Sequence, residues 1–160
     1  MAWAKNGTPN TLSGAADEIQ ISDLSGVKFN VILSHIISSG NTVKKMNFNN
    51  DGIAGTTYAF RKNSNGTSEG TTTSTGYLDV WPDQPNDFFN LTYVFADSSE
   101  EKLAISHIVT RGSAGAANAP NRKEVVGKEV TSDALTQVDF DNDGTGDYSS
   151  GSNLSALGTD

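Results

Sequence analysis

Apolar and polar residues alternate along almost all of this 160-residue chain, in short segments separated by clusters of Gly, Asn, Asp and Ser. Alternation with a period of two puts every second side chain on one face of an extended strand. It therefore selects sheets, and excludes amphipathic helices, whose apolar residues recur at three and four. The segments run Glu18 to Ile21, Val27 to Ile37, Thr42 to Phe48, Thr56 to Arg61, Tyr77 to Trp81, Phe88 to Phe95, Leu103 to Thr110, Lys123 to Val130 and Leu135 to Phe140, with a last one after Tyr148. No stretch carries apolar residues at i, i+3, i+4 and i+7 through three turns. About ten short strands in a chain of single-domain size predict one all-β domain over residues 1–160, a two-sheet β-sandwich and a jelly roll in particular. Residues 63–76, rich in Ser, Thr, Asn and Gly, read as a loop.

Composition narrows the function classes. Charged residues make up only 19 % and there is no cysteine, so disulfides and thiolate metal sites are excluded. A net charge of −8 argues against nucleic-acid binding, which needs a basic footprint. The imbalance is local: no Lys or Arg follows Lys128, while Glu129, Asp133, Asp139, Asp141, Asp143, Asp147 and Asp160 do. The start, Met1-Ala2-Trp3-Ala4-Lys5-Asn6-Gly7, lacks the apolar core of a signal peptide, and no apolar run has membrane-spanning length. The expectation is a protein made in a cytoplasm, with no membrane partner. On that reading the three Asn-x-Thr triplets at Asn6, Asn65 and Asn90 are coincidental.

The densest local signal is Asp139-Phe140-Asp141-Asn142-Asp143-Gly144-Thr145-Gly146-Asp147. A calcium loop needs oxygens at alternate positions around a sharp glycine turn, and Asp139, Asp141, Asp143, Gly144 and Asp147 supply positions 1, 3, 5, 6 and 9. Position 12 falls on Ser150, where the bidentate carboxylate would be required, and the flanks alternate as strands instead of helices. The second reading is a hairpin with Asn142-Asp143-Gly144-Thr145 as its turn, Val138 and Phe140 facing inward, and Asp139 and Asp141 outward and hydrated. The hairpin is the preferred reading, and calcium is the only cofactor the sequence suggests.

Two histidines lie in matching settings, Ser34-His35-Ile36 and Ser106-His107-Ile108. Strand parity puts His35 on one face with Val31, Leu33 and Ile37, and His107 with Leu103, Ile105 and Val109. With no third ligand and no orienting acid, they read as core or subunit-interface residues more readily than as a metal pair or catalytic base. At an interface they would make assembly pH-sensitive. No G-x-S-x-G elbow, P-loop, H-E-x-x-H or cysteine nucleophile occurs, so the chain reads as a non-enzyme. Phe89, Leu91, Tyr93 and Phe95 share one parity and read as core. Trp81, in a Pro-rich loop, is either a plug at the end of the sandwich or a platform for sugar stacking, and Trp3 suggests docking against a neighbour or the domain's end. The small, uncharged stretch between Arg111 and Arg122 suits either a crossover loop or a packed subunit contact.

Several stretches together resemble a family of small β-rich structural proteins of tailed phages, abundant among marine viruses. They are Met1-Ala2-Trp3, Tyr58-Ala59-Phe60-Arg61-Lys62-Asn63-Ser64-Asn65-Gly66, Glu101-Lys102-Leu103, the run from Gly115 to Lys128, and Ser150 to Gly158. The resemblance extends from end to end of the chain. It implies a virion structural protein with no catalytic residues, and a polar hairpin with no fixed acidic pattern where this chain has Asp139 to Asp147. The expected role is a capsid decoration or cement protein on the capsid surface, acting as a homo-oligomer (a trimer) bound to the major capsid protein or another virion protein. Candidate contact residues are Trp3, Arg61, Arg111 and Arg122. Two rival readings are a fibre tip holding a host glycan through residues 63–76 and 81–87, and a self-assembling single-jelly-roll coat protein.

Overall fold

The computed structural model describes residues 2–42, 44–52, 54–80 and 87–160, and among these residues it contains strands and no helix. In chain order the strands are β1 (Ala4–Lys5), β2 (Asn10–Thr11), β3 (Glu18–Ile21), β4 (Phe29–Ile36), β5 (Ser38–Asn41), β6 (Lys44–Phe48), β7 (Tyr58–Ser64) and β8 (Ser68–Thr75). There follow β9 (Leu78–Asp79), β10 (Phe88–Phe95), β11 (Lys102–Thr110), β12 (Asn121–Glu129), β13 (Val138–Asn142), β14 (Thr145–Tyr148) and β15 (Asn153–Thr159).

Nine strands form one antiparallel sheet in the order β1-β15-β4-β10-β11-β12-β7-β8, with β2 alongside β15. Four more, β3-β13-β6-β9, form a second sheet, and β14 pairs with β5 as a two-stranded ribbon. The two larger sheets enclose one core. Ile32, Ile36, Phe88, Val94, Ile108 and Val125 on the inner face of the large sheet join Ile19, Ile21, Met46, Phe48, Val138 and Phe140 of the smaller one. The Phe88 and Phe140 rings stand 6.5 Å apart between the sheets. The Phe48 amide donates to the Tyr58 hydroxyl at 2.7 Å, a buried polar tie between them. Each fully buried side chain of this size contributes about 1.5–3 kcal/mol, which is how a chain without cysteines is held together.

The inner face of the large sheet is unusually polar. Thr92 and Ser106 share a hydrogen bond at 2.7 Å, Asn90 donates to Thr92 at 3.0 Å, and Asn6 donates to Asn30 at 2.8 Å. Lys102 and Glu129, opposite one another on β11 and β12, form a fully buried ion pair at 3.0 Å. Asp79 on the small sheet reaches Lys62 at 2.6 Å and Lys123 at 3.0 Å on the large one. Such groups are tolerable only when paired, and the pairing fixes how the sheets align.

The all-β sandwich expected from the sequence is the fold. Its unequal sheets and the β10-β11-β12-β7-β8 order give the jelly-roll refinement no support. Residues 63–76 are not a loop: they close β7, turn at Asn65 and Gly66, and return as β8. Ser38 to Asn41, which the alternating segments Val27 to Ile37 and Thr42 to Phe48 leave between them as a Ser-Ser-Gly-Asn turn, is strand β5. The acidic run is not a hairpin either. β13 pairs with β3 and β6, whereas β14 pairs with β5, so Asn142 to Thr145 carry the chain from one sheet to another.

Candidate interaction surface

Alternation along β4, β10 and β11 sends one set of side chains into the core and the other to the outside of the large sheet. The strand registers align the outward set in cross-strand rows. One row runs Asn153, His35, Phe89, Val109 and Arg122; the next Ser155, Leu33, Leu91, His107, Glu124 and Asn63. A third runs Leu157, Val31, Tyr93, Ile105, Val126 and Arg61, and a fourth Thr159, Phe29, Phe95, Leu103, Lys128 and Ala59. The middle of the rows is apolar except for His35 and His107, and their ends are polar or charged except for Leu157 and Ala59.

This reverses the parity expected for β10. Phe88, Asn90, Thr92 and Val94 are buried, while Phe89 and Tyr93 are exposed and Leu91 and Phe95 only partly covered. On β4, β10 and β11 together, ten of the twelve outward residues are large and apolar, and the other two are His35 and His107. Of the thirteen inward residues only six are apolar. The more apolar side of these strands is thus the one facing out. Leu103 is 52 % exposed and Tyr93 and Ile105 47 % each. Together the outward apolar side chains present on the order of 800 Å², more than the largest apolar patch of an ordinary monomer.

Trp3, itself exposed, closes one corner of this face, where it lines a 320 Å³ hollow with Phe29, Tyr93, Phe95, Leu103 and Ile105. Arg61 and Arg122 stand in the rows, on β7 and β12. Arg111 lines a second hollow at the far end with His35, Asp87, Phe89 and Val109. The four candidate contact residues therefore gather on one face and its rim. The stretch 111–120 between Arg111 and Arg122 is the loop from β11 to β12, mostly exposed.

The rim is close to electrically balanced. Lys5, Arg61, Arg111, Arg122 and Lys128 stand on or beside the face with Glu69, Asp87, Glu101 and Glu124, five cations against four carboxylates. Lys128 pairs with Glu101 at 2.6 Å, and His107 Nδ1 lies 3.8 Å from Glu124. The two histidines do share their face with aliphatics, as parity predicts, but they are exposed and on different rows.

The acidic run lies on the other side of the molecule. Asp139 is buried, not hydrated: only 1 % of it is exposed, and it accepts from the Gln137 amide at 2.6 Å and the Asn50 backbone at 3.3 Å. Burial, with Asp141 and Glu18 nearby, pushes its carboxyl up to about 6. Burial likewise raises Asp141, which accepts from Asn47. Asp143 is tied to Lys45, and Asp147 sits in the ribbon opposite Ser39. Among the described residues no three His, Asp or Glu side chains gather as a metal group. Trp81 and most of the 81–87 loop lie outside the described residues. Among those described, no helix is long and apolar enough to cross a membrane.

Comparison with protein-family models, with curated proteins and with solved structures finds no match for this chain.

Proposed function

We propose that this chain is a virion structural protein of the tailed-phage type, a capsid decoration or cement protein that works as an oligomer on the outside of the shell. The observation that supports docking as its mode of action is the outward face of the large sheet. A face more apolar than the side it turns to its own core, rimmed by charged and amide groups, has the anatomy of a protein–protein interface. Three stretches that carry the phage resemblance fold into adjacent strands at the charged side of this face: Tyr58 to Gly66 in β7, Glu101 to Leu103 at the start of β11, and Gly115 to Lys128 leading into β12. On a shell such a protein adds buried area across capsomer junctions and so resists internal pressure. Its charge of −8 suits a basic patch on the shell and disfavours stray DNA.

The test is to express the chain alone and mix it with shells stripped of accessory proteins. Co-sedimentation with shells, and label on the capsid surface in imaged virions, are the expected results. Closed particles formed by the chain alone would make it a coat protein. Glycan binding with label at a fibre tip would make it a receptor-binding protein. Either outcome overturns the decoration reading.

A further inference from the structure

We infer that the outward face of the large sheet is covered by the same face of a second copy of this chain, in a two-fold pair. This rests on the reading of the protein as one that acts by docking, and it names the occupant of the docking face.

Three observations point to a second copy. The first is polarity. Strands β4, β10 and β11 bury a mixed polar and apolar inner side and turn an almost wholly apolar side outward, and this chain covers only the inner one. The second is charge. A protein of net −8 repels itself on most approaches, yet this face carries almost none of that charge. Its rim is balanced, and Lys128 and His107 already have carboxylates of the same copy beside them. A strongly basic partner would find no excess of carboxylates here, whereas Glu18, Asp139 and Asp141 stand together on the other sheet. The third is area. The exposed apolar surface, on the order of 800 Å², is comparable to what each partner contributes to a standard stable interface.

Shape selects the pair over the trimer. Sheets stack face to face about 10 Å apart with interdigitated side chains. Two such faces can meet across their central rows in that way, with the twist of each sheet setting the angle between them. Three broad faces converging on one axis would touch only along their centres and leave the rows flanking Tyr93 and Ile105 uncovered. A two-fold contact joins like to like, so one patch suffices and the assembly closes at two.

The experiment is sedimentation equilibrium of the full chain, wild type beside Ile105→Glu and Tyr93→Lys. Both positions point away from the core, and circular dichroism establishes that each variant is folded. The expected result is twice the 16.9 kDa chain mass for wild type and the single-chain mass for the variants, with at least a hundredfold weaker association. Because the chain has no cysteine, Ile105→Cys gives an independent readout: mild oxidation links two chains through a single disulfide if the faces meet near Ile105. Should both charged variants misfold, the wild-type mass decides between pair, trimer and single chain, and a cross-link at Ile105→Cys places the two-fold axis beside that residue. A monomeric or trimeric wild type, or a dimer unchanged in both folded variants, overturns the inference. A monomer that still binds shells would remove the pair and leave the decoration reading standing. A dimer that binds no virion component would do the reverse.

Discussion

Asp139 shows how one residue's setting alters what its sequence context suggests. Between Phe140 and Val138 it belongs to the outer face of the small sheet, yet Gln20 and Asn47 stand opposite it on either side and Gln137 covers it. The cost of burying the charge exceeds what the Gln137 and Asn50 donors return, so the carboxyl rises to about 6. A group whose folded value lies above its unfolded one binds more protons in the folded state. Its contribution is complete below about pH 4 and is lost as pH rises through about 6. Asp139→Asn removes the charge and keeps an acceptor for Gln137. The variant should therefore melt higher than wild type at about pH 7.5, by a few degrees, with the gain gone near pH 4. Glu129, which burial and its neighbour Asp51 push up to about 7, should leave a residual slope of the same sign in the variant. Thermal melts of both proteins at the two pH values check this; an equal gain at both would mean that the charge is not the cause.

At the scale of elements, most of the strands of the large sheet were legible, because period-two alternation is a local property that survives without tertiary information. The lost elements are instructive. β8 is almost devoid of apolar residues, since as an edge strand it packs little, and so it looked like a loop. The Asn65-Gly66 pair, both at positive φ, was the available signal for that hairpin. Parity on β10 was misread for a different reason. Alternation reports two faces but not which one is inside, and the usual rule picks the more apolar side. That rule fails where a second surface also demands apolar groups, so the error marks the candidate site. Gly127 on β12 is another element-scale feature, small because the sheets come together there. A Cβ would stand 2.4 Å from Leu78 Cδ2 and 3.2 Å from the Ala59 carbonyl oxygen. Gly127→Ala should destabilise the fold by about 1–3 kcal/mol, the cost of overpacking a filled core. Urea titration measures it, and a loss under about 0.5 kcal/mol would mean that β9 can move away from β12.

For the whole molecule, the polar inner face and the apolar outer face of the large sheet are one design seen from two sides. The buried amides, hydroxyls and ion pairs align the two sheets, but add less net stability than an apolar lining would. The outer face keeps its apolar surface in reserve, and covering it in a pair couples folding to association. That coupling is measurable without knowledge of any virion. If unfolding releases two chains, mass action favours the folded pair at higher concentration, so the melting temperature should climb as the protein is concentrated. Over a hundredfold range the stabilisation per chain is about 1.4 kcal/mol (half of RT ln 100), which corresponds to a rise of roughly 2–6 °C for a domain of this size. Tyr93→Lys, which leaves the core untouched, should melt at one temperature across the same range and lower than the concentrated wild type. Differential scanning calorimetry of the two proteins makes the comparison. A wild-type melting temperature independent of concentration, from a protein that refolds on cooling, would mean that the outward face contributes nothing to the fold's stability.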